Sequence, residues 1–259
     1  QYILAGVIQR LAEDAGYEVE QKQGLGSNLG FQALSRSNID IFVDYTGTIW
    51  ANYMKRDASA PGWAVLDRVS GWLAADHGVR CLGPLGFENA YALAMRRDDA
   101  ERRGIETIVD LSESAGGLKL GSDYEFFDRP EWFKLRDTYT LKFDELVSLD
   151  STFMYEAAAR GEVDVITAFS SDGRIAAFDL KVLDDPRQAF PPYDAVLLIS
   201  PRFADDPQLA EALRPMIRAI DVDLMRRANQ MVDVDGQPIA KAVDWLHERI
   251  TIDRTPGHA

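Results

Sequence analysis

Apolar positions along this chain follow two rhythms in turn, one of period near 3.6 and one of period two. Residues 3, 4, 7, 8 and 11 are apolar, the spacing of one helix face, so a helix runs over 1–16 and ends at Gly16. Tyr17-Glu18-Val19-Glu20-Gln21 alternates as a strand does. Gly24-Leu25-Gly26-Ser27-Asn28 is a turn whose Ser27 is placed to cap a helix starting near Leu29. A strand over 39–44, the turn Tyr45-Thr46-Gly47-Thr48, helical stretches over about 49–56 and 62–77, and a short strand over 79–82 follow. Gly83-Pro84-Leu85-Gly86 breaks the pattern. Beyond it come strands over 91–95 and 118–121 and a helix over about 130–139 with Pro130 in its first turn. A helix over 152–160 and a strand over 163–168 are next. The rigid turn Pro191-Pro192-Tyr193-Asp194 leads into a strand over 195–199, and helices near 206–219, 221–231 and 238–248 complete the chain.

One unit of this pattern occurs twice. Residues 31–45, FQALSRSNIDIFVDY, run in register with 155–169, YEAAARGEVDVITAF. In each copy a short amphipathic helix ends near Asn38 or Gly161, an apolar strand carrying one Asp follows, and an aromatic residue stands at its end. Ser151 is the equivalent of Ser27, so both helices are expected to open toward a cleft, where helix N-termini favour anionic groups. In open α/β sheets ligands bind beyond the carboxyl ends of strands. The alternation of helices with short strands predicts an α/β class with two similar lobes, 1–87 with 193–259 and 88–192, a ligand cleft between them, and a two-strand hinge near 86–90 and 190–194.

Composition narrows the function. A chain of 259 residues with 46% hydrophobic content can bury a sizeable core. A net charge of −14 disfavours a nucleic-acid partner, because phosphate binding needs a basic surface. The single Cys81 forms no internal disulfide and reads as a small buried hydrophobe. No apolar run has the length of a membrane span. Helical periodicity is already running at residue 1, with no N-cap, signal peptide or first strand, which predicts a chain trimmed at its front.

Catalysis finds little to work with. His77 reads as a residue at a helix C-terminus, His247 lies on a late helix and His258 in the tail; none shares a motif with a nucleophile, and no metal spacing occurs. Gly24-Leu25-Gly26 lacks the third glycine of a dinucleotide fingerprint and reads as a turn. Asp40 and Asp164 lie inside strands and suit solvent-facing or structural roles. The aromatic residues say more. Tyr45, Tyr91, Phe169 and Tyr193 each stand at a strand end or a lobe crossing. Singly, such a ring also serves as core filler. Four on one cleft form a cage suited to a quaternary ammonium, which has no N–H to donate and is held by ring quadrupoles instead.

Five motifs carry a resemblance: Val43-Asp44-Tyr45-Thr46-Gly47-Thr48, Gly86-Phe87-Glu88-Asn89-Ala90-Tyr91-Ala92, the segment 121–130 GSDYEFFDRP, the segment 168–175 AFSSDGRI, and Phe190-Pro191-Pro192-Tyr193-Asp194. In this order they resemble the substrate-binding proteins of osmoprotectant ABC importers, over residues 1 to about 250. The resemblance implies a two-lobed periplasmic-binding-protein fold of the second type that closes on glycine betaine, choline, carnitine or a related solute. It implies an aromatic box of Tyr45, Tyr91, Phe169 and Tyr193, a hydroxyl contact from Thr48, a carboxylate contact from Arg129, and Asn89 lining the cleft through its backbone. Phe169 stands where relatives often carry Tyr, and the first strand with its ligand-adjacent Lys lies outside this chain.

The expectation is a monomeric, non-enzymatic solute-binding component without cofactor or metal. Its partners are a small quaternary-ammonium ligand and an ABC permease, at the periplasmic or extracytoplasmic face of the membrane, free or fused to the permease. A ligand-sensing regulatory domain of the same fold is the alternative.

Overall fold

The computed structural model describes residues 1–56, 60–151 and 153–252. His258 and the expected helix start at Thr152 lie outside these described residues. The first stretch contains α1 (Tyr2–Asp14), α2 (Ser27–Ser35), β1 (Ile41–Tyr45), the helical turn α3 (Thr46–Thr48), α4 (Gly62–His77) and β2 (Arg80–Glu88). The middle holds β3 (Tyr91–Arg96), α5 (Arg97–Arg103), α6 (Ile108–Ser114), β4 (Lys119–Ser122) and α7 (Pro130–Tyr139). It continues with β5 (Glu145–Ser148), α8 (Met154–Arg160), β6 (Val165–Phe169), α9 (Gly173–Ala177) and β7 (Leu180–Val182). The chain ends with β8 (Asp194–Ile199), α10 (Pro207–Leu213), α11 (Val222–Asp233) and α12 (Ile239–Ile252). It divides into two compact units, residues 1–89 with 192–259, and residues 90–191.

The first unit is built on a three-stranded sheet of order β1-β8-β2, with β8 antiparallel to both neighbours. Being central, β8 is buried on both faces, and its run of Ala195–Ile199 is fully apolar as a consequence. Ala195, Leu197 and Ile199 pack with α1, α11 and α12, while Val196 and Leu198 pack with α2 and α4. The second unit carries the sheet β5-β4-β6-β3-β7, with β4 parallel to β5 and β6, and β3 antiparallel to β6 and β7. Leu93, Met95, Leu120 and Val165 face α6 and α7 on one side; Ala94, Ile166 and Ala168 face α8 and α9 on the other.

The repeat is physical. Residues Ile41–Tyr45 and Val165–Phe169 are both strands, 124 positions apart. The equivalent helix residues Phe31 and Tyr155, and Leu34 and Ala158, are buried in both copies. Gly161 ends α8 in the left-handed conformation at φ 74°, a position where a side chain would be strained.

Several local expectations are corrected. Residues 17–21 form no strand, although Tyr17 and Val19 pack on the core in alternation. Tyr17 donates its hydroxyl to Asp206 at 2.8 Å, so its neighbours are helices and loops and the alternation records burial without pairing. Ser27 lies inside α2, whose N-cap is Gly26 with no side-chain bond; α8 likewise begins behind Phe153, so Ser151 caps nothing. The stretch after Thr48 is a single π-helical turn, Ile49–Tyr53, rather than a longer helix. The helix expected over 206–219 ends at Leu213, with Pro215 in a following 3₁₀ turn. His77 is the last residue of α4 and packs its ring edge-on to Phe31 and Trp72, while Gly78 supplies the left-handed cap. Cys81 is free and half-buried beside the α2–α4 cluster.

The 83–86 segment does not end its strand. β2 runs through it, with register shifts against β8 between Cys81 and Gly83 and between Pro84 and Glu88. Bulges of this kind absorb a Pro and two Gly that a regular ladder would reject. Gly86 has φ 118°, and a Cβ there would stand 2.9 Å from the Ile220 carbonyl oxygen. The Ile220 N–H itself donates to Leu85 O at 3.1 Å, so that backbone cannot retreat without losing a bond. Gly86→Ala should therefore destabilise the protein by about 2–3 kcal/mol. Urea unfolding checks this: the midpoint falls at constant m, and an unchanged midpoint contradicts the strained packing.

Candidate functional site

Of the seven residues singled out from the sequence, Tyr45, Thr48, Asn89 and Tyr193 belong to the first unit, and Tyr91, Arg129 and Phe169 to the second. All seven side chains are half-buried, which leaves each of them partly accessible.

In the first unit Tyr45 closes β1 and Tyr193 immediately precedes β8. Gly47 explains how the two come together. A Cβ on Gly47 would lie 2.6 Å from the Tyr193 ring and 2.8 Å from Pro192 O, so only glycine lets the ring lie against the 45–48 backbone. Thr46 reinforces the junction by accepting from the Asp194 N–H at 3.0 Å. Asn89 donates its backbone N–H to Tyr193 O at 3.2 Å, and its side chain hydrogen-bonds the Tyr45 hydroxyl. Thr48 is half-buried at the start of the π-helical turn, and its hydroxyl makes no capping bond there.

Three carboxyl groups that sequence reasoning passed over, Asp44, Glu88 and Asp194, hold this arrangement. Asp44 is 2% exposed, accepts from the Tyr45 N–H at 2.8 Å and from the Tyr53 hydroxyl at 3.1 Å. Glu88 and Asp194 are directly opposed across β2 and β8, and Glu88 also accepts from the Tyr193 N–H at 3.5 Å. Burial pushes both of these carboxyls up, and Asp194 pushes Glu88 further. The backbone around Tyr193 thus sits in an acidic setting, which favours cations.

In the second unit Tyr91 and Phe169 are register partners of β3 and β6, with ring centroids 4.9 Å apart and planes tilted by 34°. Phe126 at 5.1 Å and Phe190 at 6.5 Å flank Tyr91. Residue 169 is fixed from behind, because its N–H donates to the Tyr155 hydroxyl at 3.1 Å. Tyr155 is fully buried, with the Arg174 guanidinium 4.2 Å over its ring, and Arg174 forks onto Asp172. The repeat therefore meets one requirement in two ways: the N–H of the strand-end ring finds a carboxylate in the first unit and a phenol in the second. A β-strand Asp followed by Tyr was the visible signal for Asp44; Tyr155 was legible only as the register partner of Phe31.

Arg129 completes the second set. Its guanidinium carbon is 5.5 Å from the Tyr91 centroid, and the group forks onto Glu131. Burial, with Asp123 next in effect, raises the Tyr91 phenol to about 12, so it stays neutral across the physiological range. Neutral rings of this kind offer a cation an electron-rich face at low desolvation cost. Asp40 and Asp164 are structural: Asp40 pairs with Arg202 at 2.6 Å, and Asp164 accepts from the Lys119 N–H at 2.8 Å. Among the described residues no group of His, Cys, Asp and Glu could hold a metal ion, and no helix is long and apolar enough to cross a membrane.

Asp44 makes a pH signature. Burial raises its carboxyl from 3.8 to about 6, against the smaller opposing pull of its two hydrogen bonds. A raised folded-state value means that its contribution is fully present below the unfolded pKa and is lost as pH rises through about 6. The shift corresponds to a loss of about 3 kcal/mol on moving from about pH 3.5 to neutral. Asp44→Asn lacks this ionisation, so the wild type should lose stability relative to it over that window. Denaturant unfolding of both proteins across the pH range tests this; parallel profiles contradict it.

The model of a family described as the substrate binding domain of ABC-type glycine betaine transport systems matches residues 1–248. A glycine-betaine-binding protein of Pseudomonas aeruginosa is 30% identical over 267 residues, covering 98% of this chain and 86% of that protein. The Helicobacter pylori protein EgtU, an ergothioneine transport permease/ergothioneine binding protein, is 28% identical over 251 residues. That match covers 95% of this chain and 45% of EgtU, so the chain spans less than half of that relative's length. The crystal structure of a glycine betaine/carnitine/choline ABC transporter protein aligns with a TM-score of 0.90 at 25% identity, over 96% of this chain and 95% of its own.

Proposed function

Because the chain belongs to the family of substrate-binding domains of ABC-type glycine betaine transport systems, with the α/β architecture of type 2 periplasmic substrate-binding proteins, we propose that it captures a quaternary-ammonium solute and delivers it to an ABC permease. Tyr91 and Phe169 in the second unit, with Tyr45 and Tyr193 in the first, give the trimethylammonium head its aromatic faces. Arg129 and Thr48 meet a carboxylate on the ligand, and Asn89 holds the Tyr45 and Tyr193 ends in place. Capture takes place at the extracytoplasmic face of the membrane, by the chain as a free protein or as a domain of a permease fusion, and involves no bond-making.

The observation that carries this reading is the adjacency of Tyr91, Phe169 and Arg129 on one unit. Two half-buried rings 4.9 Å apart supply aromatic surface of the kind that attracts a cation, and a guanidinium beside them is the complement of a carboxylate, which supports this reading. An onium carboxylate such as glycine betaine has these two charges a few bonds apart. Choline has the first alone.

Calorimetry with glycine betaine, choline, carnitine and ergothioneine tests the proposal, and binding of none of them contradicts it. Tyr91→Ala should weaken binding roughly ten-fold, since a desolvated cation–π face contributes about 1–2 kcal/mol. Wild-type affinity in that variant removes Tyr91 from the site. Arg129→Ala should cost glycine betaine about 1.5–3 kcal/mol and choline much less, because the buried carboxylate alone loses its partner. An equal loss for both ligands contradicts the carboxylate role.

A further inference from the structure

Two hydroxyls in the second unit are fully buried and serve none of the contacts described so far. Ser122 and Thr167 are both 0% exposed, and their oxygens stand 2.5 Å apart. Thr167 Oγ1 donates to Met154 Sδ at 3.6 Å, which leaves Ser122 to donate to Thr167. The place of the pair in the sheet gives it meaning. β4 and β6 run parallel, with register pairs Leu120↔Val165 and Gly121↔Ile166. Ser122 and Thr167 come next on each strand, so their hydroxyls continue the pairing where the backbone register ends. Carboxyl ends of this kind are where α/β sheets place their ligand-binding segments. Beyond Ser122 the chain turns tightly: Asp123 Oδ1 accepts the N–H groups of Glu125 at 2.9 Å and Phe126 at 3.1 Å. Beyond Thr167 comes Phe169, on the same face of its strand. Phe126 and Phe169 are the two rings nearest Tyr91, at centroid distances of 5.1 and 4.9 Å.

We propose that Ser122 and Thr167 are positioning residues of the second unit's aromatic surface; this rests on the reading of Tyr91 and Phe169 given above. The hydroxyl pair ties the strand that leads to Phe126 to the strand that ends at Phe169. It thereby fixes the separation of the two rings against which Tyr91 is seated. A cation gains from an aromatic ring only over its face and at short range, so a displaced ring loses affinity while the fold persists. A pair with a structural role alone behaves differently. Buried hydroxyls that only satisfy each other are replaced together by apolar groups at little cost, whereas removing one leaves the other stranded. Stability and affinity then recover together in the double replacement; under the positioning role they part.

The test compares Thr167→Val, Thr167→Ser and the double variant Ser122→Ala with Thr167→Val. Each is unfolded in urea and titrated calorimetrically with glycine betaine and choline. Thr167→Val should lower stability and weaken both ligands about five-fold, since both carry the onium head. Thr167→Ser keeps the hydroxyl and should bind within about two-fold of wild type. The double variant should regain most of the lost stability and stay about five-fold weak. Wild-type affinity in Thr167→Val overturns the proposal, as does affinity that returns with stability in the double variant. A loss in Thr167→Ser equal to that in Thr167→Val assigns the effect to the methyl group and overturns it too. If the wild type binds neither ligand, the functional reading fails by itself. The Tyr91 ring-proton resonances, assigned by their absence in Tyr91→Leu, then decide. Shifted in Thr167→Val and in the double variant and unshifted in Thr167→Ser, they support the positioning role; unshifted in the double variant, they overturn it.

Discussion

Tyr91 and Phe169 meet because β3 and β6 are antiparallel neighbours in one register, and everything attributed to the second unit depends on that pairing. Side chains alternate faces along a strand, so a slip of one residue would turn Phe169 away and put Ala168 opposite Tyr91. The register is protected by what lies around it. Leu93 and Met95 are fully buried on one face and Ala94 and Ile166 on the other, so a slipped strand would exchange the occupants of two cores. At the open end, Ser170 donates its N–H to Ala90 O at 2.9 Å and accepts from the Ala90 N–H at 3.1 Å. The Tyr155 hydroxyl then takes the Phe169 N–H. Rigidity at the strand end is what makes a ring pair usable as a recognition surface, since an ordered pair has already lost its conformational freedom before a ligand arrives.

The first unit reaches a similar end by different contacts. Its equivalent strand, β1, pairs Tyr45 with Ala195, so no second ring stands across the ladder. The second ring comes from Tyr193, upstream of β8, and it is seated by the missing side chain of Gly47. The buried Asp44 carboxylate and the Asn89 side chain hold Tyr45 from its two ends. Keeping a carboxylate almost wholly buried costs stability at neutral pH, and that cost falls at the residue that holds the Tyr45 N–H.

How much of this could be read in the sequence follows from what makes each feature. The repeat was legible, because strand and helix periods repeat with the buried residues they serve, and Tyr45 and Phe169 fall at its ends. The α/β class, the strand at Tyr91 and the helix at Pro130 were legible for the same reason. The strand expected at Tyr17 failed because alternation reports burial and is silent about hydrogen-bond partners. The break expected at Gly83–Gly86 failed because a bulge carries the same residues as a turn. Ser27 was misplaced by one position, since Gly26 reaches the N-cap conformation without a side chain. Tyr155 was invisible as a support, because it acts through a bond to Phe169, 14 positions away, whose proximity only folding creates; Asp44 stood beside Tyr45 in the sequence, and what stayed hidden was its burial and its bond to Tyr53. Membership of the substrate-binding family follows from motif order along nearly the whole chain, which a single local pattern could not have supplied.

If aromatic faces hold the onium head of the ligand, its N-methyl protons lie within reach of the ring currents. Proton NMR of glycine betaine in the presence of saturating protein measures this directly, through the N-methyl resonance. Methyl groups lying over ring faces are shielded by ring currents, so the bound methyl signal should move upfield, by less when Tyr91 or Phe169 is replaced by Leu. A bound methyl signal at its free position, with binding itself established by calorimetry, would contradict it.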